Sequence, residues 1–587
     1  MQAQDRVILD PRNPFIAISS GTTRVFKTGH QRLERPRFSN KIAPCRQACP
    51  IGIDIPGALH RACKGDLDGA LAVYLQENPL PGVCGRVCYQ PCENECHRGR
   101  FDESINIKSL ERYLADHGKH DPKQGVVLAS RKEKVAVVGS GPAGLAASFH
   151  LAKRGYRVSL FEAKPELGGM LRYGIPDYRL PRHVLDRDIE RILSLGIEKR
   201  TGLAIGRDMD WRELEPYDAI FLAVGSHESK RLFDGEGSDG QVISGLDFLE
   251  NPGGWSLHDA TQNTLVIGGG NVAIDAARTL LRLRKGCATH ITVICPESRD
   301  QMPAFAEEIK DAEAEGVSVI GGWAPLDIRR AEGRLVSVGF HRARLLPDKD
   351  TGDLKIRRIG NKIKEWPAER VIVAVGQGLD MSGLPRSLKT HEGVVVSDLQ
   401  QKTSLPGVFA GGDAIGEKGF VADAIASGKR GALAIACFLE GKDFVTEWKA
   451  GRIGRSGAFS FECLKRESGG MAVDLSRVVS FEQLNPLFFS KHPRMESAKR
   501  RVASRNNSFR EVAKGLDQDQ MEQEMSRCFH CGTCIDCGNC LDFCPDLSII
   551  KAVKGGVYDF DPDYCKGCGI CSVACPRNII EMTVENP

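Results

Sequence analysis

The chain has 587 residues, 41% hydrophobic and 27% charged, with a formal net charge of +4. At ~150 residues per domain that length asks for about four domains, and the composition is that of a soluble globular protein without long disorder. A charge so near zero argues against a nucleic-acid partner, and no run of ~18 apolar residues offers a membrane span. Residues 1–15 lack the apolar core of a secretion signal, so a cytoplasmic chain is expected. Two counts stand out, 21 cysteines and 63 glycines. Disulfides are scarce in a reducing compartment, so clustered cysteines there point to metal.

In chain order, residues 1–40 read as irregular and basic, and 41–120 as helices around seven cysteines. Together they form a first domain, 1–120. Segment 134–164 then reads strand, tight turn, helix, strand. Gly139, Gly141 and Gly144 make G-x-G-x-x-G directly after the strand KVAVV. The first glycine allows the turn, the second lets backbone N–H groups reach a pyrophosphate, and the third lets helix pack on strand. The helix N-terminus faces the diphosphate with its partial positive charge. Glu162, 18 residues beyond Gly144, ends the next strand, where an acid accepts from a ribose 2′-hydroxyl.

The same grammar returns at 263–283, followed by a strand at 290–294, with Gly268, Gly270 and Ala273 in the three places. Near the end of that strand stand Glu297, which favours the 2′-hydroxyl of NAD, and Arg299, which suits the 2′-phosphate of NADP. The reading leans to NADH. A third glycine-rich strand end, 407–414, carries Asp413, placed to hydrogen-bond a flavin ribityl or pyrophosphate. Two nucleotide sites imply FAD and a nicotinamide. The order flavin, nicotinamide, flavin implies an NAD(P)H-binding domain (256–375) inserted into an FAD-binding domain (121–255 and 376–445). The glycines at 168–170, Gly169 among them, and the YGIP at 173–176 are expected to line the isoalloxazine. Residues 446–525 show no chemical motif and are expected to be a linker or docking segment. Within it, 491–510 has seven Lys/Arg and one Glu. With no interleaved aromatics for strand stacking, this reads as a solvated face or a seat for the acidic tail.

The tail, 526–587, contains Cys534-x2-Cys537-x2-Cys540-x3-Cys544-Pro and Cys565-x2-Cys568-x2-Cys571-x3-Cys575-Pro. This is the bacterial two-cluster ferredoxin run, in which each fourth cysteine serves the other cluster. One 4Fe–4S cluster is expected on Cys534, Cys537, Cys540 and Cys575, and one on Cys544, Cys565, Cys568 and Cys571. The doubled run with Cys-Pro ends disfavours zinc. Cys528 and Cys531 precede it at the same spacing; they could hold another metal with a distant pair or be free thiols, and no role is assigned to them.

CRQACP (45–50), CGRVCYQPCENEC (84–96) and SLER (109–112), followed by the two βαβ units, resemble the small (β) subunit of NADPH-dependent glutamate synthase and its relatives. Among these are the N-terminal half of dihydropyrimidine dehydrogenase and the large subunit of the bifurcating ferredoxin:NADP oxidoreductase. The resemblance covers about 40–445, and a fused ferredoxin tail also resembles the sulfite-reductase-associated iron–sulfur flavoprotein and the flavin subunits of aromatic 2-oxoacid oxidoreductases. It implies a multidomain α/β chain: a helical iron–sulfur domain, two Rossmann-like nucleotide domains and a ferredoxin-like α+β tail. The family's helical domain usually holds two 4Fe–4S clusters. Carried over, one takes Cys49, Cys88, Cys92 and Glu111. The other keeps Cys45 and Cys96, but Arg37 and Asn40 stand at its first two places. Two ligands hold a cubane poorly, so this cluster is expected to be missing or rebuilt, with Cys63 and Cys84 the spare thiols nearby, each equally readable as small core residues.

The expected function is an NAD(P)H:acceptor oxidoreductase with at least three 4Fe–4S clusters. Hydride passes between nicotinamide and flavin held ~3–3.5 Å apart, so no catalytic side chain is needed. The clusters then exchange single electrons with a partner redox protein such as a ferredoxin, a 2-oxoacid oxidoreductase or a sulfite reductase. The alternative is a relay or docking subunit of a larger complex without turnover of its own. A disulfide reductase would need a redox-active cysteine pair near the flavin. Cys287 and Cys295 are eight apart, and Cys437 and Cys463 stand alone, so that reading is set aside.

Overall fold

A computed structural model describes residues 7–10, 13–19, 27–121, 130–234, 236–237, 240–255, 263–284, 290–347, 354–417, 419–454, 458–465, 473–551 and 558–585. Lys134–Val138 lies at the centre of an all-parallel sheet. Its order is Val408–Ala410, Ala219–Leu222, Lys134–Val138, Arg157–Glu162, Glu198–Thr201. The apolar runs VAVV (135–138) and AIFL (219–222) are buried on both faces, as parallel strands covered by helices must be. Helix Pro142–Ala152, with proline at its first turn, packs against the 20-residue helix Val421–Glu440. The two meet backbone to backbone: a Cβ on Gly428 would lie 2.0 Å from the Ala143 carbonyl oxygen. Thus the last part of the first unit returns to complete it after a long insertion.

The insertion is a second parallel sheet, ordered Val242–Ser244, Arg370–Val373, Asn263–Ile267, His290–Cys295, Ser318–Gly321. The sequence-based boundary at 255 falls inside this unit, because Val242–Ser244 pairs with Arg370–Val373 and helix Gly245–Glu250 packs beside it. Three short residues of strand with no glycine turn gave no sequence signal. An antiparallel sheet of Trp323–Ala331, Arg334–Pro347 and Leu354–Pro367, also unanticipated, extends from the same unit. Its buried Trp323, Phe340 and Trp366 close over Val242, Ile267 and Val371.

The helical domain is built of short helices started by proline or an acid. Asp54, Asp66 and Asn106 cap Ile55–Cys63, Leu67–Glu77 and Ile107–His117 by accepting from Gly57, Gly69 and Ser109 N–H groups. Pro81–Val87 lies so close to Ile107–His117 that a Cβ on Gly85 would sit 2.5 Å from the Arg112 backbone. The tail is not a separate bead. Its last strand, Ile580–Val584, pairs antiparallel with Glu34–Phe38 of the first domain. Segment 446–525 likewise threads between units, with Val473–Val478 running parallel to Asn40–Ile42. Of the cations of 491–510, Lys491, Arg501 and Arg510 are exposed, as a solvated face would have them, but others are tied to neighbouring units. Arg494 pairs with Glu93 of the helical domain at 2.7 Å, and Lys499 and Arg505 with Asp311 of the second nucleotide unit at 2.9 and 3.2 Å. No helix among the described residues is long and apolar enough to cross a membrane.

One buried ion pair ties three of these units. Lys429, on the long helix of the first nucleotide unit, pairs with Glu77 of the helical domain and donates to the carbonyls of Ile51 and Phe459. Glu77 also accepts from Ser460 Oγ at 2.6 Å and from the N–H groups of Phe461 and Glu462. Burial alone would push the Glu77 carboxyl up, but Lys429, Ser460 and the backbone donors hold it below its ordinary value. Removing one partner leaves a buried charge uncompensated, so Glu77→Gln and Lys429→Met should each cost about 3–5 kcal/mol. The double variant should cost less than their sum. Anaerobic denaturant unfolding followed by flavin fluorescence checks this; additive losses would mean the two charges are not coupled.

Candidate functional site

The first glycine turn has the geometry its sequence implies. Gly139 takes φ +100°, and a Cβ on it would lie 2.2 Å from the Ala223 carbonyl; one on Gly144 would lie 1.8 Å from the Gly139 carbonyl. Gly141 instead faces open space, with no atom within 4 Å of an added Cβ. That space belongs to a cavity of about 520 Å³ lined by Gly139, Gly141, Glu162, Gly169 and Asp413. Gly144 is not in the wall; it serves the packing beneath. Gly169, at φ +50°, holds the following segment against Gly141, and Gly174 and Ile175 of the YGIP continue the wall. Glu162 accepts from the Ser140 N–H at 3.0 Å, from Ser140 Oγ and from the Lys164 N–H, which fixes its carboxylate at the cavity edge. Burial and the nearby Glu417 push the Asp413 carboxyl up. Helix Val421–Glu440 points its N-terminus here, through Val421 and Ala424.

The second turn repeats the first. Gly268 takes φ +143° against the Ala374 carbonyl, Ala273 is fully buried, and Gly270 faces open space. Glu297 lies under this turn, its Oε2 2.7 Å from the place a Gly269 Cβ would take. That oxygen is buried without a hydrogen-bond partner among the described residues. Arg299 points away, paired with Glu313 at 2.7 Å on the surface. From the helix that follows this turn Asn271 and Asp275 reach the cavity of the first turn, so the second unit forms part of that wall. Asp275 is joined at 2.6 Å to Arg179 of the first unit; burial pushes its carboxyl up to about 6, with Arg179 opposing. This cross-unit pair escaped the sequence reading, since neither residue belongs to a glycine motif. Among the described residues no cysteine lines the cavity. Cys295 and Cys437 are buried elsewhere, and Cys287 lies outside the described residues.

The thiols gather in separate sets. Cys534, Cys537, Cys540 and Cys575 line one small cavity of the tail, and Cys544, Cys565, Cys568 and Cys571 line another. In the helical domain Cys49, Cys88, Cys92 and Glu111 are buried or nearly so and lie within electrostatic reach of one another. Asn78 Nδ2 donates to Glu111 Oε1 at 2.8 Å, and burial pushes this carboxyl up to about 8. Cys84 is buried beside the same group, whereas Cys63 is exposed. Burial pushes the Cys88 and Cys540 thiols up to about 12 and Cys571 to about 11. A bare thiolate is costly there, and a metal that replaces the proton removes that cost. Cys45 and Cys96 form no part of these sets. They meet Cys528 and Cys531, which the sequence left unassigned. Arg37 lies in the strand paired with Ile580–Val584, and Asn40 accepts from the Cys534 N–H at 3.0 Å.

Val87, the residue before Cys88, is part of the nucleotide cavity wall. Tyr89, the residue after it, stacks on Phe420 at 4.5 Å, and Phe420 stacks on Phe305 of the second unit at 6.0 Å. The helical domain's thiol set therefore abuts the nucleotide cavity.

Three family patterns match this chain: a pyridine nucleotide-disulphide oxidoreductase over 133–428, a dihydropyrimidine dehydrogenase domain II 4Fe–4S cluster over 34–122, and a 4Fe–4S dicluster domain over 533–579. The small chain of NADPH glutamate synthase from Escherichia coli is 32% identical over 71% of this chain and 93% of its own length. The chain belongs to this family. The β subunit of an NADP-dependent formate dehydrogenase from Moorella thermoacetica is 33% identical over 83% of this chain and 70% of its own length. The β subunit of an NADPH-Fe(3+) oxidoreductase from Geobacter sulfurreducens is 37% identical over 70% of this chain, which spans 66% of that relative. As a glutamate synthase small-subunit-like flavoprotein, the chain is an NAD(P)H-dependent oxidoreductase subunit that uses FAD and 4Fe–4S clusters. Open space over Gly141 and Gly270, the unpartnered Glu297 oxygen and the thiol-lined cavities all fit those groups.

Two glycine variants separate the packing from the binding role. Gly144→Ala forces a Cβ into the Gly139 carbonyl, so purified protein should lose most of its flavin absorbance. Gly270→Val puts its Cβ into open space and should keep its flavin, while NADH binding weakens by at least tenfold, about 1.4 kcal/mol. Flavin content and an NADH titration read the two outcomes.

Proposed function

We propose that this subunit passes electrons between NADH and a partner redox protein, by way of FAD and the three thiol sets predicted from sequence. The cavity with Val87 in its wall carries the reading: the first nucleotide turn opens onto it, the second unit forms part of its wall, and the first thiol set abuts it. When bound, FAD exchanges a hydride with the nicotinamide, and iron–sulfur clusters move single electrons.

The chain's own residues do the positioning. The turns at Gly139–Gly144 and Gly268–Ala273 hold the two pyrophosphates, with Glu162 and Asp413 on FAD. The Arg179–Asp275 pair holds the nicotinamide unit against the flavin unit, and Phe305 and Phe420 exclude water between them. Cys49, Cys88, Cys92 and Glu111 hold the cluster next to FAD. The two tail sets lead outward to the Cys544, Cys565, Cys568 and Cys571 site, where Cys568 is exposed and Phe543, Leu547, Ile570 and Val573 offer an apolar face. A ferredoxin-type protein, or the catalytic subunit of a 2-oxoacid oxidoreductase or sulfite reductase, would dock there. The orphaned Glu297 oxygen supports NADH, since a ribose 2′-hydroxyl satisfies it and a 2′-phosphate would be repelled.

An anaerobic optical titration tests this. NADH should bleach the flavin band and then the broad iron–sulfur absorption. Glu297→Ser should weaken NADH and strengthen NADPH, shifting their ratio about 10- to 100-fold for a charge-assisted bond of ~1.5–3 kcal/mol. Reduction by NADPH alone overturns the nucleotide preference, and no bleaching of a flavin- and iron-loaded chain overturns the electron path.

A further inference from the structure

Four thiols remain outside the sets above, and they lie together. Cys45 and Cys531 are buried in the same core as Cys49 and Cys92, with Cys96 and Cys528 packed against it. Cys45 lies within electrostatic reach of Cys96, Cys528 and Cys531, and each of the latter two of Cys96. The contact is built. Lys41 N–H donates to the Gly532 carbonyl at 2.8 Å, Cys534 N–H to Asn40 Oδ1, and Gly532 N–H to the Arg577 carbonyl. Phe529 fills the space beside them, 4.3 Å from Phe489 and 5.6 Å from Phe101.

The turn at 528–531 also has the shape of the ligand turns. His530 takes φ +50° and its N–H lies 3.4 Å from Cys528 Sγ. Gln90 does the same after Cys88, at φ +62° and 3.4 Å. Asp536 and Gly567, each two residues after a cysteine of a tail set, take φ +62° and +74°. A left-handed backbone is unfavourable for His, Gln or Asp and persists only where the surroundings require it. The turn wraps the amide toward the sulfur. Cys96 sulfur likewise accepts from the N–H groups of Ile105 and Arg98.

Arg577 supplies an independent sign. The residue is 5% exposed; its guanidinium lies over the Phe488 and Phe489 rings, and its Nε and Nη1 have no hydrogen-bond partner among the described residues. It lies within electrostatic reach of Cys528 on one side and of Cys534, Cys537 and Cys575 on the other. A buried cation with open donors between two thiol sets calls for anionic groups on both sides.

We propose that Cys45, Cys96, Cys528 and Cys531 hold a fourth 4Fe–4S cluster, two ligands drawn from each end of the chain. Cys528 and Cys531 replace the two thiols absent at Arg37 and Asn40. Zinc would draw all its ligands onto one point. A cubane gives each thiolate its own iron. The site connects the other sets, since Cys45 lies within electrostatic reach of Cys92 and Arg577 spans the gap to the tail. This role rests on the electron path proposed above, but the cluster's presence does not.

The test is the metal content of the full-length chain, reconstituted anaerobically with iron and sulfide. Wild type should hold about 16 irons and sulfides, four per cluster. Cys528→Ala/Cys531→Ala and, from the other end, Cys45→Ala should each hold about 12 and lose the same signal in the dithionite-reduced electron paramagnetic resonance spectrum. Cys63→Ala, altering an exposed thiol nearby, should keep all of it. A wild-type content of about 12 irons, one bound zinc, or undiminished iron in the variants overturns the proposal. The wild-type count decides even if a variant fails to fold. No nucleotide enters these measurements, so a failed NADH titration leaves them unaffected. If the fourth cluster connects the path, NADH should still bleach the flavin of the double variant, while reduction of the tail clusters slows at least tenfold.

Discussion

A buried charge tolerates few geometries, and the Glu77–Lys429 pair fixes the arrangement of the whole molecule for that reason. Neither group can reach water, so each must find its partner and the surrounding carbonyls and amides before the core closes. Those partners sit on the helical domain, on the long helix beside the flavin cavity and on the segment at 459–462. The pair therefore sets how far Cys88 stands from the cavity wall at Val87, a separation on which any transfer between them depends. The Arg179–Asp275 pair does the same between the two nucleotide units, where it brings Asn271 into the flavin cavity.

What was legible in the sequence was what local spacing controls. A glycine at 139 or 268 must accept a positive φ and a carbonyl at van der Waals distance, and those demands are written in the residue itself. The tail's cysteine spacings are equally local, and the eight thiols fall into the two sets that the spacing implied. What spacing cannot carry is who meets whom across the chain. Cys528 and Cys531 looked like surplus because their neighbours, Cys45 and Cys96, lie more than 400 residues away. Arg494, Lys499 and Arg505 were read as part of a solvated face or a seat for the tail because Glu93 and Asp311 could be matched to them only in space. The boundary at 255 failed for a related reason: Val242–Ser244 is too short to announce which sheet it joins.

The stack of Tyr89, Phe420 and Phe305 joins three units beside the cavity, whose wall includes Phe305 and Phe420. Tyr89 is fixed in sequence to Cys88, Phe420 caps the long helix, and Phe305 precedes helix Ala306–Glu315. A rotation of the nicotinamide unit would move Phe305 first. The stack thus couples the position of that unit to the wall beside the first thiol set, and it does so with flat rings that slide without losing contact.

The pairing of Glu34–Phe38 with Ile580–Val584 has a consequence for how the protein is made. A ribosome releases the first strand long before its partner in that sheet has been synthesised. The helical domain's opening segment must wait, unpaired, through more than 500 residues of translation. Its final closure, and any metal site that draws ligands from both this segment and the tail, must then await synthesis of the tail. Assembly of the iron–sulfur centres near that seam would have to follow synthesis of residues 580–584, and a chain lacking them would leave the segment at 34–38 open as well.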